Sequence, residues 1–482
     1  MLNLQAKPVE LNIFWAAVAM AVTAMFAGVL LNEPLFYLTP VALLFAYQMV
    51  LNYKYIFYLL LIVTPAAVEF YLPSGVSVSL PTEPVMVIFM FTFLFFIIMK
   101  REIFDREFLS HPLTIILYIH FVWIIITAIF SADIIISLKY VLAKTWFIVS
   151  FYFIAALVVK NLDGFKTIFW CLFAPTLILV IYTLNNHMHY QFLFSQVNKT
   201  MVPFFRNHVN YAVFLALMFP FLFVASKWYK KYSWQKIVID LSKALFLVAI
   251  YFSYTRSAWL SVAGAFVAWM LIRNNKLLYG VGATILGVIL FVFYMLHDNK
   301  YLDYAPEFTK TIYHTHFSEH MESTITLEDV SSAERVYRWV AALHMIEDKP
   351  VMGFGPGQFY FNYKEYTTNK FETYISRNNE KSTVHNYYLQ VTVEQGFIGL
   401  LIWLVLLVYA LYLGQKLYKK LLDNYHKNIA MATTISLITI IINIALSDLI
   451  EADKIGTSFF MFLAILVNLD LYFRRMNKDV VE

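Results

Sequence analysis

Leu277-Leu278-Tyr279-Gly280-Val281-Gly282-Ala283-Thr284-Ile285-Leu286-Gly287-Val288-Ile289-Leu290-Phe291-Val292-Phe293-Tyr294-Met295-Leu296 runs from end to end without a charged residue. A helix of about 20 apolar residues is what crosses the roughly 30 Å hydrocarbon core of a bilayer. Arg273 and Lys276 stand before this run, and a long polar loop follows it. The same pattern recurs along the chain. Spans are expected near 12–31, 34–51, 55–72, 84–99, 112–130, 143–160, 164–184, 210–226, 244–254, 258–272, 277–296, 396–414, 428–447 and 457–473, with 244–254 and 258–272 short and hinged at Thr255-Arg256-Ser257. Segments broken by Pro65 or Pro81 are open to a re-entrant reading, so the expectation is an all-α polytopic membrane protein of about 12–14 transmembrane helices.

Composition agrees. The 482 residues are 61% hydrophobic, 18% aromatic and 14% charged, with a mean hydropathy of +0.66. Soluble domains carry about 25% charged residues, so a water-soluble enzyme is excluded. A transmembrane β-barrel would show short alternating segments in place of long apolar runs. Met1 to Glu10 is too polar for a signal peptide, and the first apolar run has no small-residue cleavage site, so it is expected to stay in the membrane. The single cysteine, Cys171, permits neither an intrachain disulfide nor a cysteine-based zinc site.

Lys and Arg in short loops stay on the cytoplasmic side. One set of alternate loops holds Lys100, Arg101, Arg106, Lys160, Lys166, Lys227, Lys230, Lys231, Lys236, Lys243, Arg273, Lys276, Lys416, Lys419, Lys420, Lys427, Arg474 and Arg475. The opposite loops near 32–33 and 73–83 have no basic residue, and the turn after 447 has Asp448, Glu451 and Asp453 against Lys454. Parity then places both termini in the cytoplasm and the loop 297–395 outside. The net charge of +5 follows from this topology and needs no nucleic-acid partner; a polybasic partner site is the alternative.

Four regions result: 1–243, N-terminal transmembrane helices; 244–296, central helices with the break at Thr255-Arg256; 297–395, the large, partly helical loop; and 396–482, C-terminal transmembrane helices. The loop carries six of the twelve histidines, and a loop of this length inside a compact fold is usually functional.

Arg256, flanked by apolar helix on both sides, faces a cost of about 2.5 kcal/mol or more at membrane depth, and such residues usually line a cavity or bind an anion; snorkelling to the outer interface is the alternative. Ser331 to Asp348 predicts an amphipathic helix, with Ser331 and Glu334 at capping-box spacing and an apolar stripe through Val336, Trp339, Val340, Leu343 and Ile346. Arg335 and Arg338, three apart, share a face. Two guanidinium forks suit phosphate oxygens, and a solvated or salt-bridged face is the competing explanation. The run Met352-Gly353-Phe354-Gly355-Pro356-Gly357 is a glycine-rich turn that lets backbone approach a ligand or a neighbouring helix; it lacks the ending of a phosphate-binding Walker loop. His385, in His385-Asn386-Tyr387-Tyr388 just before an apolar helix, is a candidate general base, with a structural histidine as the alternative. His316 and His320, with His314 and Glu319 near, have metal-ligand spacing but lack the Glu-bearing HExxH pattern. No metal site and no cofactor are expected.

The series Thr255-Arg256-Ser257-Ala258, Arg335-Val336-Tyr337-Arg338-Trp339, Asp348-Lys349-Pro350-Val351-Met352-Gly353-Phe354-Gly355-Pro356-Gly357 and His385-Asn386 with Glu394 and Gly396 resembles, in order and spacing over 244–400, the O-antigen ligase and O-antigen polymerase family of bacterial envelope proteins. Arg206-Asn207-His208 adds a further point. The resemblance implies a GT-C-like fold in the bacterial inner membrane and a periplasmic active loop. It also implies metal-independent transfer of a glycan from undecaprenyl diphosphate to an acceptor hydroxyl, lipid A core for a ligase or a second lipid-linked glycan for a polymerase. Arg256 and Arg335 carry over as diphosphate ligands and His385 as the group that orients or deprotonates the acceptor. Arg338 is added from helix geometry, with Arg206 and Glu394 in support. Nucleotide sugars are not available outside the cytoplasm, so a donor there must arrive pre-activated and membrane-anchored, and its diphosphate leaving group needs positive charge. Related proteins that glycosylate proteins often carry a further C-terminal region, whereas this chain ends soon after its last apolar run. A transporter of lipid-linked sugars would spread charges through many helix interiors; here they gather in one loop.

Overall fold

The computed structural model describes residues 8–31, 36, 39–71, 77–99, 103–160, 162, 164–298, 300, 330–368 and 383–481. Among these, thirteen long helices make the bundle. They are α1 (Pro8–Leu31), α2 (Thr39–Val63), α3 (Thr82–Met99), α4 (Pro112–Ile129), α5 (Ile134–Ile148), α6 (Phe165–His189), α7 (His208–Ser226), α8 (Trp234–Phe252), α9 (Arg256–Arg273), α10 (Leu277–Leu296), α12 (Tyr387–Lys420), α13 (Asn424–Asn443) and α14 (Asp453–Val481). A further helix, α11 (Val330–Asp348), lies between α10 and α12 in the chain. Eight helical segments are long and apolar enough to cross a membrane: 82–99, 112–129, 134–158, 165–189, 208–226, 277–296, 387–420 and 453–477. The chain is an all-α polytopic membrane protein.

The helix starts are written locally. Asp133 accepts from the Ile135 and Ile136 amides at 2.9 and 3.3 Å at the head of α5. Asn207 accepts from Asn210 at 2.9 Å ahead of α7, and Asn386 from Tyr388 and Leu389 at 3.0 and 3.1 Å ahead of α12. Each side chain satisfies amides that the first turn leaves unpaired. Past Ile148, α5 widens into a fully buried π-helical stretch, Val149–Ile154, before closing with Ala155–Val158. This stretch packs against α14, whose residues are buried almost throughout. In α10, by contrast, Leu277 is the one buried residue, so the run that announces the fold lies at its edge.

Three expectations change. The spans expected at 34–51 and 55–72 are one helix, α2, kinked at Asn52 (φ −133°, ψ 39°). After Pro65 comes an antiparallel hairpin, β1 (Val68–Tyr71) with β2 (Ser77–Leu80), Val68 opposite Leu80. Pro65 lacks the amide that a continuing helix needs, and extended backbone takes over. Around Arg256 the helices are full length, because α8 begins at Trp234, capped by Ser233. Finally, α11 already includes Val330 and Ser331, and Glu334 engages Arg338 one turn on, so the capping-box start is replaced by an i, i+4 ion pair at 2.9 Å.

Candidate active site

A second, smaller core sits at the end of the bundle where α12 begins. Tyr337, Val340, Ala341 and Met345 of α11 pack with Phe354, Phe359, Val384 and Val393. The glycine-rich turn clamps this layer to the bundle. The Phe354 and Gly355 amides donate to the Val393 and Glu394 carbonyls at 2.9 Å each, and the Phe397 amide donates to Pro350 O at 2.8 Å. On the other side Ser137 Oγ donates to Pro356 O at 2.8 Å and Gln358 Nε2 to Asp133 O at 2.7 Å. Gly396 breaks α12 with φ +69°, and a Cβ there would lie 1.9 Å from Val351 O. One at Gly355, φ +102°, would lie 2.1 Å from Ser131 Cβ. The close approach that the sequence left open is to neighbouring helices.

Glu394 belongs to this clamp. It is buried, and it accepts from the Phe359 amide at 3.3 Å and from the Gly357 backbone.

His385 stands directly before the Asn386 cap, in the left-handed region at φ +54°. A non-glycine residue pays for that conformation in strain, of order 1–3 kcal/mol, and such residues gather at functional sites. The position is fixed from both sides: Trp339 Nε1 of α11 donates to Val384 O at 3.1 Å, and the Tyr387 amide donates to Ile444 O at 2.9 Å. Nδ1 of His385 lies 3.9 Å from Asp448 Oδ1, and 36% of the side chain stays exposed. Burial first, then Arg338, Arg335 and Arg206, pull the imidazole down from 6.5 to about 3. Burial raises the Asp448 carboxyl, opposed by a bond from Thr383 and the charge of Arg206.

The charges of Arg338, Arg335 and Arg206 therefore all act on His385. Arg338 has Nη2 on Glu334, while its Nε is a buried donor with no hydrogen-bond partner among the described residues. Arg206 is exposed, just ahead of the Asn207 cap. Arg256 opens α9, and its neighbour Thr255 donates to His208 O at 3.3 Å, which ties that helix start to the Arg206 loop. His314, His316, His320 and Glu319 lie outside the described residues. Among the described residues no three His, Cys, Asp or Glu side chains are placed to hold a metal ion.

Asp448 was read from sequence as a mark of sidedness, as was Glu451. Glu451 takes both carboxylate bonds from the buried Lys144 at 2.9 Å and one from Tyr140 at 2.8 Å, and its charge also raises the Asp448 carboxyl. The available signal was an acidic pair interrupting an apolar C-terminal third.

A membrane-embedded helical bundle with a basic, histidine-bearing site at one end defines the class. Residues 241–404, which include Arg256, α11, the glycine turn and His385, match the family model described as O-Antigen ligase. The chain is also 24% identical over 210 residues to the O-antigen ligase of Salmonella typhimurium strain LT2, a match that covers 42% of this chain and 46% of that protein, less than half its length. Through this region the chain is similar to the O-antigen ligases.

Proposed function

We propose that the protein transfers a glycan from undecaprenyl diphosphate to an acceptor hydroxyl at the periplasmic face of the bacterial inner membrane, with lipid A core as acceptor. The observation that carries this reading is the positive field that Arg338, Arg335 and Arg206 exert at the half-buried His385, before the Asn386 cap. Guanidinium groups bind diphosphate oxygens through paired, charge-assisted bonds and stabilise the charge that builds on the leaving group. Arg256 serves the same diphosphate from the start of α9. Arginine here fills the role a divalent cation fills elsewhere, so the transfer is metal-independent.

His385 takes the acceptor proton. As the acceptor oxygen bonds to the anomeric carbon, the carbon–oxygen bond to phosphate breaks and undecaprenyl diphosphate leaves with the electron pair. Burial, with the arginines, holds the imidazole neutral, and the negative donor offsets the arginines' field, so proton affinity rises once the donor is seated. Asp448, 3.9 Å from Nδ1, helps to orient the imidazole towards the acceptor. The loop-charge asymmetry supports the periplasmic placement, and the name of the Salmonella relative supports ligation over polymerisation.

The test is transfer by right-side-out vesicles given lipid-linked donor and lipid A core on the outer face in EDTA. Product is expected. Activity confined to inside-out vesicles, or restored only by Mg²⁺ or Zn²⁺, would sink the assignment.

A further inference from the structure

Lys454, the second residue of α14, meets three carbonyls from two distant stretches of chain. Its Nζ donates to Pro65 O at 2.7 Å and Ala67 O at 3.2 Å, in the segment between α2 and β1, and to Phe204 O. It also lies 4.0 Å from the centroid of the buried Phe205 ring. These stretches are irregular backbone, where carbonyls released from helices need donors when water is scarce. An ammonium has three N–H groups, and here each has a carbonyl.

Phe204 lies two residues before Arg206. Two residues after it, His208 is held as well: its amide and ring nitrogen contact Asn198 Oδ1 at 3.0 and 2.7 Å, and its carbonyl accepts from Thr255. The exposed Arg206 thus stands between two fixed points, and on its N-terminal side the anchor is a charged side chain from another helix.

We propose that Lys454 is a positioning residue for Arg206, holding the Phe204–Phe205 backbone so that the guanidinium meets the donor diphosphate. This rests on the diphosphate reading above. A neutral side chain at 454 would strand three carbonyls and free the segment, and a displacement of about 1 Å at a binding group can cost about 10²-fold.

The experiment measures KM for the lipid-linked donor and kcat, using full-length protein in vesicles, for Lys454→Met, Phe205→Leu, Arg206→Ala, Arg335→Ala and the combinations of the first two with Arg206→Ala. Lys454→Met should raise donor KM about 10- to 100-fold with kcat far less affected. Phe205→Leu, losing only the ring beneath the ammonium, should raise it about 2- to 5-fold. In the Arg206→Ala background neither should add more than about 2-fold, because both act through the missing guanidinium. Equal losses with and without Arg206 overturn the proposal. So does normal donor KM in Lys454→Met while Arg206→Ala and Arg335→Ala are defective, an outcome that leaves the diphosphate reading standing. Normal KM in every variant overturns that reading itself. If Lys454→Met does not fold, Phe205→Leu decides: an increase that vanishes without Arg206 supports positioning, and no increase or an independent one refutes it.

Discussion

A histidine–aspartate pair lies at each end of the bundle, and the two could hardly differ more. At the end where α12 finishes, His111 Nε2 and Asp470 Oδ2 are 3.3 Å apart with both side chains fully buried. Lys416 at 2.8 Å and Arg474 at 2.7 Å complete the set around Asp470, and His111 Nδ1 accepts from the Leu113 amide at 3.2 Å. At the other end His385 and Asp448 are 3.9 Å apart and partly open. Positive charge surrounds His385, and a buried Arg338 nitrogen has no acceptor among the described residues. A cluster whose bonds are filled stabilises a fold. One with excess positive charge and a buried guanidinium nitrogen lacking an acceptor among the described residues fits the proposed diphosphate site.

That contrast can be broken by exchange of roles. His385→Ala is expected to lower turnover about 10²- to 10⁴-fold with donor binding and thermal unfolding near those of the parent, read by transfer assay and donor titration on matched amounts of inserted protein. Near-parental transfer, or loss of donor binding as complete as in Arg335→Ala, returns His385 to a structural role. Asp470→Ala should do the reverse. It leaves two partly exposed cations without their carboxylate, at a cost of about 1–3 kcal/mol, seen as earlier thermal unfolding in detergent, while the protein that remains folded turns over normally. A stable but inactive Asp470→Ala would erase the distinction.

A subtler effect sharpens the contrast. Because His385 is held at about 3, its neutral form persists as pH falls, and kcat/KM should show no decline through the 6.5 of an unperturbed histidine. Arg338 lowers that value, so Arg338→Met must raise it, and an acid limb should move upward towards 6.5 in the pH profile. A parental decline centred near 6.5, or a limb unmoved by Arg338→Met, would detach the arginines from the histidine.

Much of the bundle was legible because each long apolar run carries its own instruction. The kink at Asn52 and the hairpin after Pro65 were not, since 34–51 and 55–72 have the composition of two spans and only packing chooses one bent helix. His385, Arg335, Arg338 and Arg256 were picked out by residue type and order. Asp448 and Glu451 were in view as loop charges, yet their nearness to residues 385 and 144 depends on contacts across 63 and 307 positions of chain, which no local pattern encodes. The clamp role of Glu394 was hidden for the same reason.

The glycine turn and the break at Gly396 set the boundaries at which this protein could be recombined with a relative. The loop that carries His385 is joined to the bundle by hydrogen bonds with 132–137 and across the first three turns of α12, so transplanting the loop alone would leave half of each joint behind. The exchangeable unit is discontinuous: the α4–α5 junction, α11 with its turn, and α12 through Phe397. A crossover placed in the apolar half of α12, beyond that residue, respects it.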